Sequence, residues 1–418
     1  MLLYFYSMSV NLSSIQKVYF IGIGGIGVSA LARKYLNDGY QVSGSDRTVS
    51  LITTELEKLG VKIFFKQKAR NITADIDLVI YTIAIPTNHP ELTRARKLGI
   101  KILSYPEALG ELSRKIFTIA IAGTHGKTTT TAMVAEILLT AHRDPMVIVG
   151  SLLQRSDKHR SIFIAGKGPL VVETCEYRRS FLNLSPQILV ITNIDTDHLD
   201  YYSNLADIQS AFAELAGKVP RSGKVITEKE YSQIKLPIKL LVPGQHNQRN
   251  AQAAIAVAKT VGISERLARR ALASFRGTWR RFEYKGKTKK GALIYDDYAH
   301  HPTEIKATLV ATREKFPHRR IVVIFQPHLY SRTKLLFKEF TESFNDADEI
   351  LILPIYAARE PKDKTISSRI LATAIPRAIY TPNLSAVEKH LAKTNRHDLI
   401  LNLGAGDVSL NHAFLNLR

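Results

Sequence analysis

Apolar positions along the chain fall into short, nearly continuous runs separated by longer amphipathic stretches. Lys17-Val-Tyr-Phe-Ile-Gly22 is apolar at almost every position, as a strand covered on both faces must be. A helical pattern over 28–38 follows, then a second strand, Tyr40-Gln-Val-Ser-Gly44, which ends at Asp46. Leu78-Val-Ile-Tyr-Thr82 and Lys101-Ile-Leu103, leading to Pro106, complete the first unit. A second unit has strands over 117–123, 170–173, 188–192 and 224–227, with helices over 130–140 and 250–261. A third has strands over 292–295, 321–325, 350–353 and 399–403. Strands alternating with helices predict α/β domains with mostly parallel sheets. The expected division is 1–112, 113–283 and 284–418.

Composition narrows the class. The 418 residues suit about three domains at roughly 150 residues each. With 45% hydrophobic and 23% charged residues, the chain is expected to fold rather than remain disordered. No apolar run approaches the ~18–20 residues of a membrane span, so no membrane partner is expected. The opening 1–6 is apolar but lacks a basic flank, and Met8 is an alternative start to Met1. A single cysteine, Cys175, permits no internal disulfide and fits a reducing cytoplasm.

Lysine plus arginine number 58 against 37 acidic residues, a net charge of +21. The surplus lies mostly in scattered pairs such as Arg178-Arg179, Arg269-Arg270, Arg280-Arg281 and Arg319-Arg320. Its densest cluster, 285–290, reads as a hairpin tip before a buried strand. With no basic tail, zinc-finger spacing or aromatic RNA-binding signature, the charge suits anionic ligands and no specific nucleic acid is expected.

Two glycine loops carry the chemistry. Gly22-x-Gly24-Gly25-x-Gly27 follows a strand and opens a helix, and Asp46 lies nineteen residues beyond Gly27. Such glycines allow a tight turn and close backbone approach, while the helix N-terminus faces a pyrophosphate. The pattern claims a ligand with a diphosphate and a sugar, and a nicotinamide cofactor of an oxidoreductase fits it as well. The second loop is Gly123-Thr124-His125-Gly126-Lys127-Thr128-Thr129. Its backbone N–H groups suit phosphates, Lys127 suits β/γ oxygens, and Thr128 is placed for Mg²⁺. The spacing is shorter than the usual P-loop, since Ile121 stands where its first glycine would be. Glu173 ends one later strand, and Asp195-Thr-Asp197-His198 follows another. Strand C-termini gather around the ligand crevice of a parallel sheet, so Thr128, Glu173 and His198 form the candidate metal set.

Seven segments in order resemble the Mur ligase family. They are the loop at 22–27, Gly-Thr-His-Gly-Lys-Thr-Thr at 123–129, and Thr-Asn-Ile-Asp-Thr-Asp-His-Leu-Asp at 192–200. Pro-Gly-Gln-His-Asn-Gln-Arg-Asn at 243–250 and Arg-Arg-Phe-Glu at 280–283 follow. Asp-Asp-Tyr-Ala-His-His-Pro-Thr-Glu at 296–304 and Gln-Pro-His-Leu-Tyr-Ser-Arg-Thr at 326–333 complete the set. His125 points within the family to the members that join L-alanine to UDP-N-acetylmuramate. The resemblance covers nearly the whole chain after about residue 15.

That resemblance implies a Rossmann-like UDP-binding domain, a central parallel-sheet P-loop ATPase domain and a Rossmann-like C-terminal domain. It implies ATP and Mg²⁺, an acyl phosphate formed on the muramic acid carboxylate, and attack by the amine of L-alanine. Lys127 and the loop from Gly123 to Thr129 would hold phosphates; Thr128 and Glu173 would ligate one Mg²⁺, and His198 would help bind a second. Asn247 and Asn250 are assigned to adenine, Arg281 to the phosphates and Asp297 to the ribose of ATP. His301, His328 and Arg332 would line the amino-acid and acyl-phosphate region. Gly22, Gly24, Gly25, Gly27, Asp46 and Thr82 would receive the UDP-sugar, and the protein is expected to be a monomer or weak homodimer.

The segment Glu173-Thr-Cys-Glu-Tyr-Arg-Arg-Ser-Phe181 departs from the more acidic form common in these ligases: both glutamates remain, but Cys175 and Arg178-Arg179 change the local charge. No lysine occurs over 199–217, so the carbamylated lysine of several relatives is not expected. Leu329 stands where some members have arginine. The nearest rival is the recycling ligase that attaches a ready-made tripeptide, followed by a folate polyglutamating ligase, for which the first domain would have no purpose.

Overall fold

A computed structural model describes residues 15–154, 160–198, 201–358 and 360–406. Met1, Met8 and the last two residues of the 192–200 motif lie outside the described residues. Three sheets follow one another along the chain, each from its own stretch of sequence.

The first sheet comprises β1 (Lys17–Ile21), β2 (Gln41–Ser45), β3 (Lys62–Phe64), β4 (Leu78–Tyr81) and β5 (Lys101–Ser104). Its order is β3-β2-β1-β4-β5, all parallel. Val18 to Ile21 are at most 1% exposed, which explains why β1 reads as a continuous apolar run. The chain leaves β1 where its two neighbours diverge in sequence, so the loop 22–27 stands at the topological switch point.

The second sheet contains β6 (Thr118–Ala122), β7 (Met146–Gln154), β8 (Arg160–Ile164), β9 (Leu170–Glu173), β10 (Ile188–Ile191) and β11 (Lys224–Ile226). Its order is β11-β10-β6-β9-β7-β8, with only the β7–β8 hairpin antiparallel. Again a glycine loop follows the strand at the switch point, here β6 between β9 and β10.

The third sheet is built from β12 (Glu283–Lys287), β13 (Leu293–Asp297), β14 (Arg320–Phe325), β15 (Glu349–Ile352), β16 (Ala378–Tyr380) and β17 (Asp398–Leu403). Its order is β12-β13-β17-β14-β15-β16, and only the edge strand β12 runs antiparallel. Lys285 and Lys287 belong to β12, so the expected hairpin tip is confined to the turn that ends at Gly291. The helices Lys127–Thr140 and Gln245–Thr260 begin earlier than their apolar periodicity suggests, because their first turns are polar residues of the cleft. None of the helices among the described residues is long and apolar enough to cross a membrane.

The first two sheets share a core. Val18, Phe20, Leu31 and Leu109 pack in one cluster with Ala120, Leu170, Phe181 and Phe212. The third sheet has clusters of its own, with Phe325, Phe340 and Phe344 on one face and Val322, Ile324 and Ile400 on the other. The third domain thus has a core of its own, separate from the one the first two share. Phe181, 2% exposed and edge-on to Phe212, belongs to the shared core. Phe181→Ala is expected to cost about 3–5 kcal/mol. In calorimetry it should lower the transition of the first two domains together and leave the transition lowered by Phe340→Ala in place; one transition moved equally by both would contradict the division.

Candidate active site

Strand β6 delivers the loop 123–129 into the cleft, and the strand ends beside it fix its shape. His125 N donates to Asn193 Oδ1 at 2.9 Å, Thr192 Oγ1 to His125 O at 2.6 Å, and Asp195 N to Thr124 Oγ1 at 2.8 Å. Gly126 has φ 81° and a side chain there would collide with the Asn250 carboxamide, so only glycine fits. The following helix, Lys127–Thr140, has no side-chain cap, which leaves its N-terminal N–H groups for an anion. Lys127 Nζ donates to Gly123 O at 2.6 Å and Thr124 O at 3.0 Å, and lies 3.1 Å from Glu176. Burial works against its charge, but Glu176 outweighs this and the pKa is raised.

Thr128 Oγ1 donates to Glu173 Oε1 at 2.8 Å, and Glu173 Oε2 accepts from Gly150 N at 2.7 Å. A hydroxyl and a carboxylate touching at the loop end are hard oxygen donors, and they fit a Mg²⁺ ion that keeps several waters. His198 is not a third member of that pair. Its Nε2 lies 3.9 Å from both Glu176 and Asp197, its φ is 53°, and Tyr177 packs on its ring at 4.9 Å. Burial lowers its pKa and keeps the imidazole neutral, as a ligand requires.

Glu176, 3% exposed, joins Lys127 to His198, a role that the sequence reading left unassigned. Its signal was its persistence in the altered segment. Arg332 reaches across from the third domain, donating to Asp197 Oδ1 at 3.0 Å with His328 Nδ1 3.4 Å from its other nitrogen. Despite burial, the Arg332 guanidinium beside it, with the hydrogen bonds from Arg332 and from His198 N, holds Asp197 well below the usual carboxylate range.

A cavity of about 560 Å³ opens beside the loop, within the size expected for a nucleotide-sized ligand. His125, Gly126 and Thr129 form one wall; His246, Asn247 and Asn250 a second; Arg281, Asp297 and Thr303 a third. Asn247 and Asn250 lie in the first turns of the helix Gln245–Thr260, bonded to each other at 3.3 Å. Asp297 accepts from Phe282 N at 2.7 Å and Ala299 N at 2.8 Å, and burial raises its pKa to about 6. Burial and nearby Arg281 lower His246 to about 4, so this imidazole is neutral.

His125 ties the loop to the third domain. Its Nδ1 is 3.3 Å from Glu304 and its Nε2 3.4 Å from Asp195. Glu304 also accepts from His300 N and His301 N, a second contribution not read from the sequence. His301 caps the helix Pro302–Lys315, its Nδ1 accepting from Thr303 N at 3.3 Å. Nδ1 is therefore the acceptor and Nε2 the protonated nitrogen. His125, Asp195 and His301 bring ligand-type atoms within 4.8 Å of one another, but this tautomer and the two carboxylates on His125 make an ion-paired latch instead.

In the first domain, Gly22 has φ 79° and its Cα faces Thr82, the residue after β4. Asp46 Oδ2 accepts from Gly24 N at 2.8 Å and Oδ1 from Arg47 N at 2.7 Å, so the carboxylate braces the loop Gly22–Gly27. Gly25 precedes the uncapped helix Ile26–Asn37.

Three family models match in the order of the sheets: the Mur ligase family catalytic domain over 17–116, the Mur ligase middle domain over 121–232, and the Mur ligase glutamate ligase domain over 280–406. The chain belongs to the Mur ligase family. It is 40% identical to UDP-N-acetylmuramate–L-alanine ligase of Clostridium kluyveri, covering 98% of this chain and all of the relative. The corresponding ligase of Clostridium acetobutylicum is 41% identical, over 94% of this chain and 96% of its own. Among solved structures, UDP-N-acetylmuramate–alanine ligase MurC of Thermotoga maritima superposes with a TM-score of 0.81 at 30% identity, covering 94% and 96% of the two chains. A murein peptide ligase of Psychrobacter arcticus shares the Mur ligase fold, with a TM-score of 0.71 at 24% identity over 96% of this chain and 98% of its own.

The latch in this Mur ligase is expected to respond to pH. Burial alone would depress the His125 pKa, but its bonds to Asp195 and Glu304 raise it to about 9. A folded value above the usual ~6.5 means that the ion pairs contribute fully below about 6.5 and are lost as pH rises through about 9. Raising the pH from about 7 to about 9.5 should therefore loosen the docking of the third domain. Small-angle scattering should show a larger radius of gyration at the higher pH, and His125→Asn should abolish that change. An unaltered wild-type radius would refute the latch.

Proposed function

We propose that the chain joins L-alanine to the lactyl carboxylate of UDP-N-acetylmuramate, consuming ATP and releasing ADP and phosphate. The observation that carries this reading is one cavity walled by the phosphate loop on one side and, on the other, by Arg281 at the junction with the third domain and Asp297 within it. Relatives of near-full-length coverage bearing the name of that activity support it. On this reading the chain divides near residues 112 and 284, and the first domain takes the UDP-sugar rather than a nicotinamide cofactor.

Each step of such a reaction builds negative charge on phosphate or on an acyl oxyanion, so fixed cations and N–H donors are what the protein must supply. Lys127 would leave Glu176 for the β/γ oxygens. Arg281 would approach the same oxygens from the junction with the third domain, while Asn247 and Asn250 would face the base and Asp297 the ribose. Mg²⁺, held by Thr128 and Glu173 with a second ion near His198, would supply charge neutralisation at the transferring phosphoryl group. Arg332 suits the carboxylate of the incoming amino acid, with His328 beside it, and His301 directs Nε2–H into the same region. Docking of the third domain would exclude water from the acyl phosphate.

ADP release with Mg-ATP and UDP-N-acetylmuramate is expected with L-alanine and not with the tripeptide. Turnover with the tripeptide alone would move the chain to recycling; failure to turn over with any acceptor would refute the ligase reading. Lys127→Ala should abolish turnover with UDP-sugar binding nearly intact, and activity retained within about tenfold (~1.4 kcal/mol) would remove Lys127 from the phosphate site. Glu173→Gln should shift the Mg²⁺ titration to higher concentration; an unchanged titration would remove Glu173 from the metal.

A further inference from the structure

We propose that Tyr105 contacts the substrate: its hydroxyl hydrogen-bonds the UDP-sugar where it crosses from the glycine loop of the first domain to the Thr128–Glu173 pair. The inference rests on the ligase reading above and adds to it a residue outside the motifs.

Tyr105 opens the helix Tyr105–Lys115 directly after β5, so it stands at the C-terminal edge of the first sheet, the edge that carries the loop Gly22–Gly27. Ser104 fixes the start of that helix through a capping box with Glu107, its N donating to Glu107 Oε2 at 2.7 Å. The ring lies against Gly27. A Cβ on Gly27 would be 2.6 Å from the Tyr105 hydroxyl oxygen and 2.8 Å from Cζ. Gly27 is not among the glycines with positive φ and sits within the helix Ile26–Asn37, so no unusual turn explains its lack of a side chain. The tyrosine ring does.

On its other side Tyr105 faces the central domain. The helix Ile26–Asn37 packs against β7 and β8, and Gly150 of β7 holds Glu173. The ring lies within electrostatic reach of Glu173, and a phenol, protonated at neutral pH, has its hydroxyl available as a donor. Tyr105 is half-buried, unlike Tyr19, Tyr202 and Tyr231, whose buried hydroxyls donate to Glu91, Glu176 O and Thr192 O. Among the described residues, Tyr105 has no such acceptor. A diphosphate on the first loop, with its sugar carboxylate beside Thr128, would bring substrate oxygens past this donor.

The test is calorimetric titration of UDP-N-acetylmuramate into the full chain without ATP, for wild type and Tyr105→Phe, alongside steady-state kinetics. Phenylalanine keeps the ring on Gly27 and removes only the hydroxyl; equal melting temperatures confirm this. Loss of one neutral hydrogen bond should weaken binding about threefold to tenfold. KM for the UDP-sugar should rise similarly, with KM for ATP and kcat within about twofold. Wild-type binding matched by the variant overturns the role of Tyr105 and leaves the ligase reading standing. A fall in kcat with unchanged affinity also overturns it. Absence of UDP-N-acetylmuramate binding by the wild type overturns both.

Discussion

A buried ammonium needs acceptors, and much of the cleft can be understood from how Lys127 finds them. The loop places Nζ over its own carbonyls, Gly123 O and Thr124 O, and the third acceptor is Glu176. Glu176 must then be held in turn: Tyr202 donates to its backbone carbonyl at 2.6 Å, and His198 approaches its carboxylate. Asp197, next in the chain, takes Arg332 from the third domain. One lysine thus organises a relay of charges from the phosphate loop to the opposite domain. An arriving phosphate would replace Glu176 as the partner of Lys127 without requiring the lysine to be desolvated again, since it is already out of bulk water.

The distribution of apolar contacts decides which parts of this relay can separate. The first two domains are joined by a common core, whereas the third meets the central domain through polar groups: His125 with Glu304, Thr303 with Asp195, Arg332 with Asp197. Polar interfaces of this kind permit domain motion and respond to charge. Asn247 and Asn250 line the cavity from the central domain, while Asp297 lines it from the third, with Arg281 at the junction between them. A ligand in the cavity therefore has to be shared between two bodies, which couples its binding to their docking.

The fold was legible because central strands buried on both faces leave continuous apolar runs: β1, β6 and β14 could be read directly. Edge elements were not. β3 and β16 are three residues long, β8 carries polar residues, and β12 reads as a lysine cluster because one of its sides has no neighbour. In the site, motifs identified Lys127, Thr128, Glu173, Asn247 and Asp297, and the fold gathers these around the cleft between the central and third domains. Glu176, Glu304 and His246 escaped, because their roles come from partners in distant segments. Glu304 is 179 residues from His125, and no local spacing reports that pairing. His198 sits with Glu176 and Asp197 rather than with Glu173, a grouping that depends on the path between strands.

The segment 173–181 shows how a basic pair can be accommodated without disturbing the Thr128–Glu173 hydrogen bond. Arg178 and Arg179 both adopt positive φ, 51° and 53°, a conformation costly for long side chains and kept only when surroundings demand it. That turn sends the two side chains to different places. Arg179 leaves the cleft to meet Asp207 at 2.7 Å and Glu214 at 3.3 Å, both on the following helix Leu205–Gly217. Arg178 lies exposed over the Tyr177 ring, whose other neighbours are His198 and Tyr201. Meanwhile Glu173 and Glu176 keep Thr128 and Lys127. Of the two added cations, one is neutralised by acids on the adjacent helix and the other is solvated above an aromatic ring. The carboxylates that face the phosphate loop therefore keep their partners although the segment has become more basic.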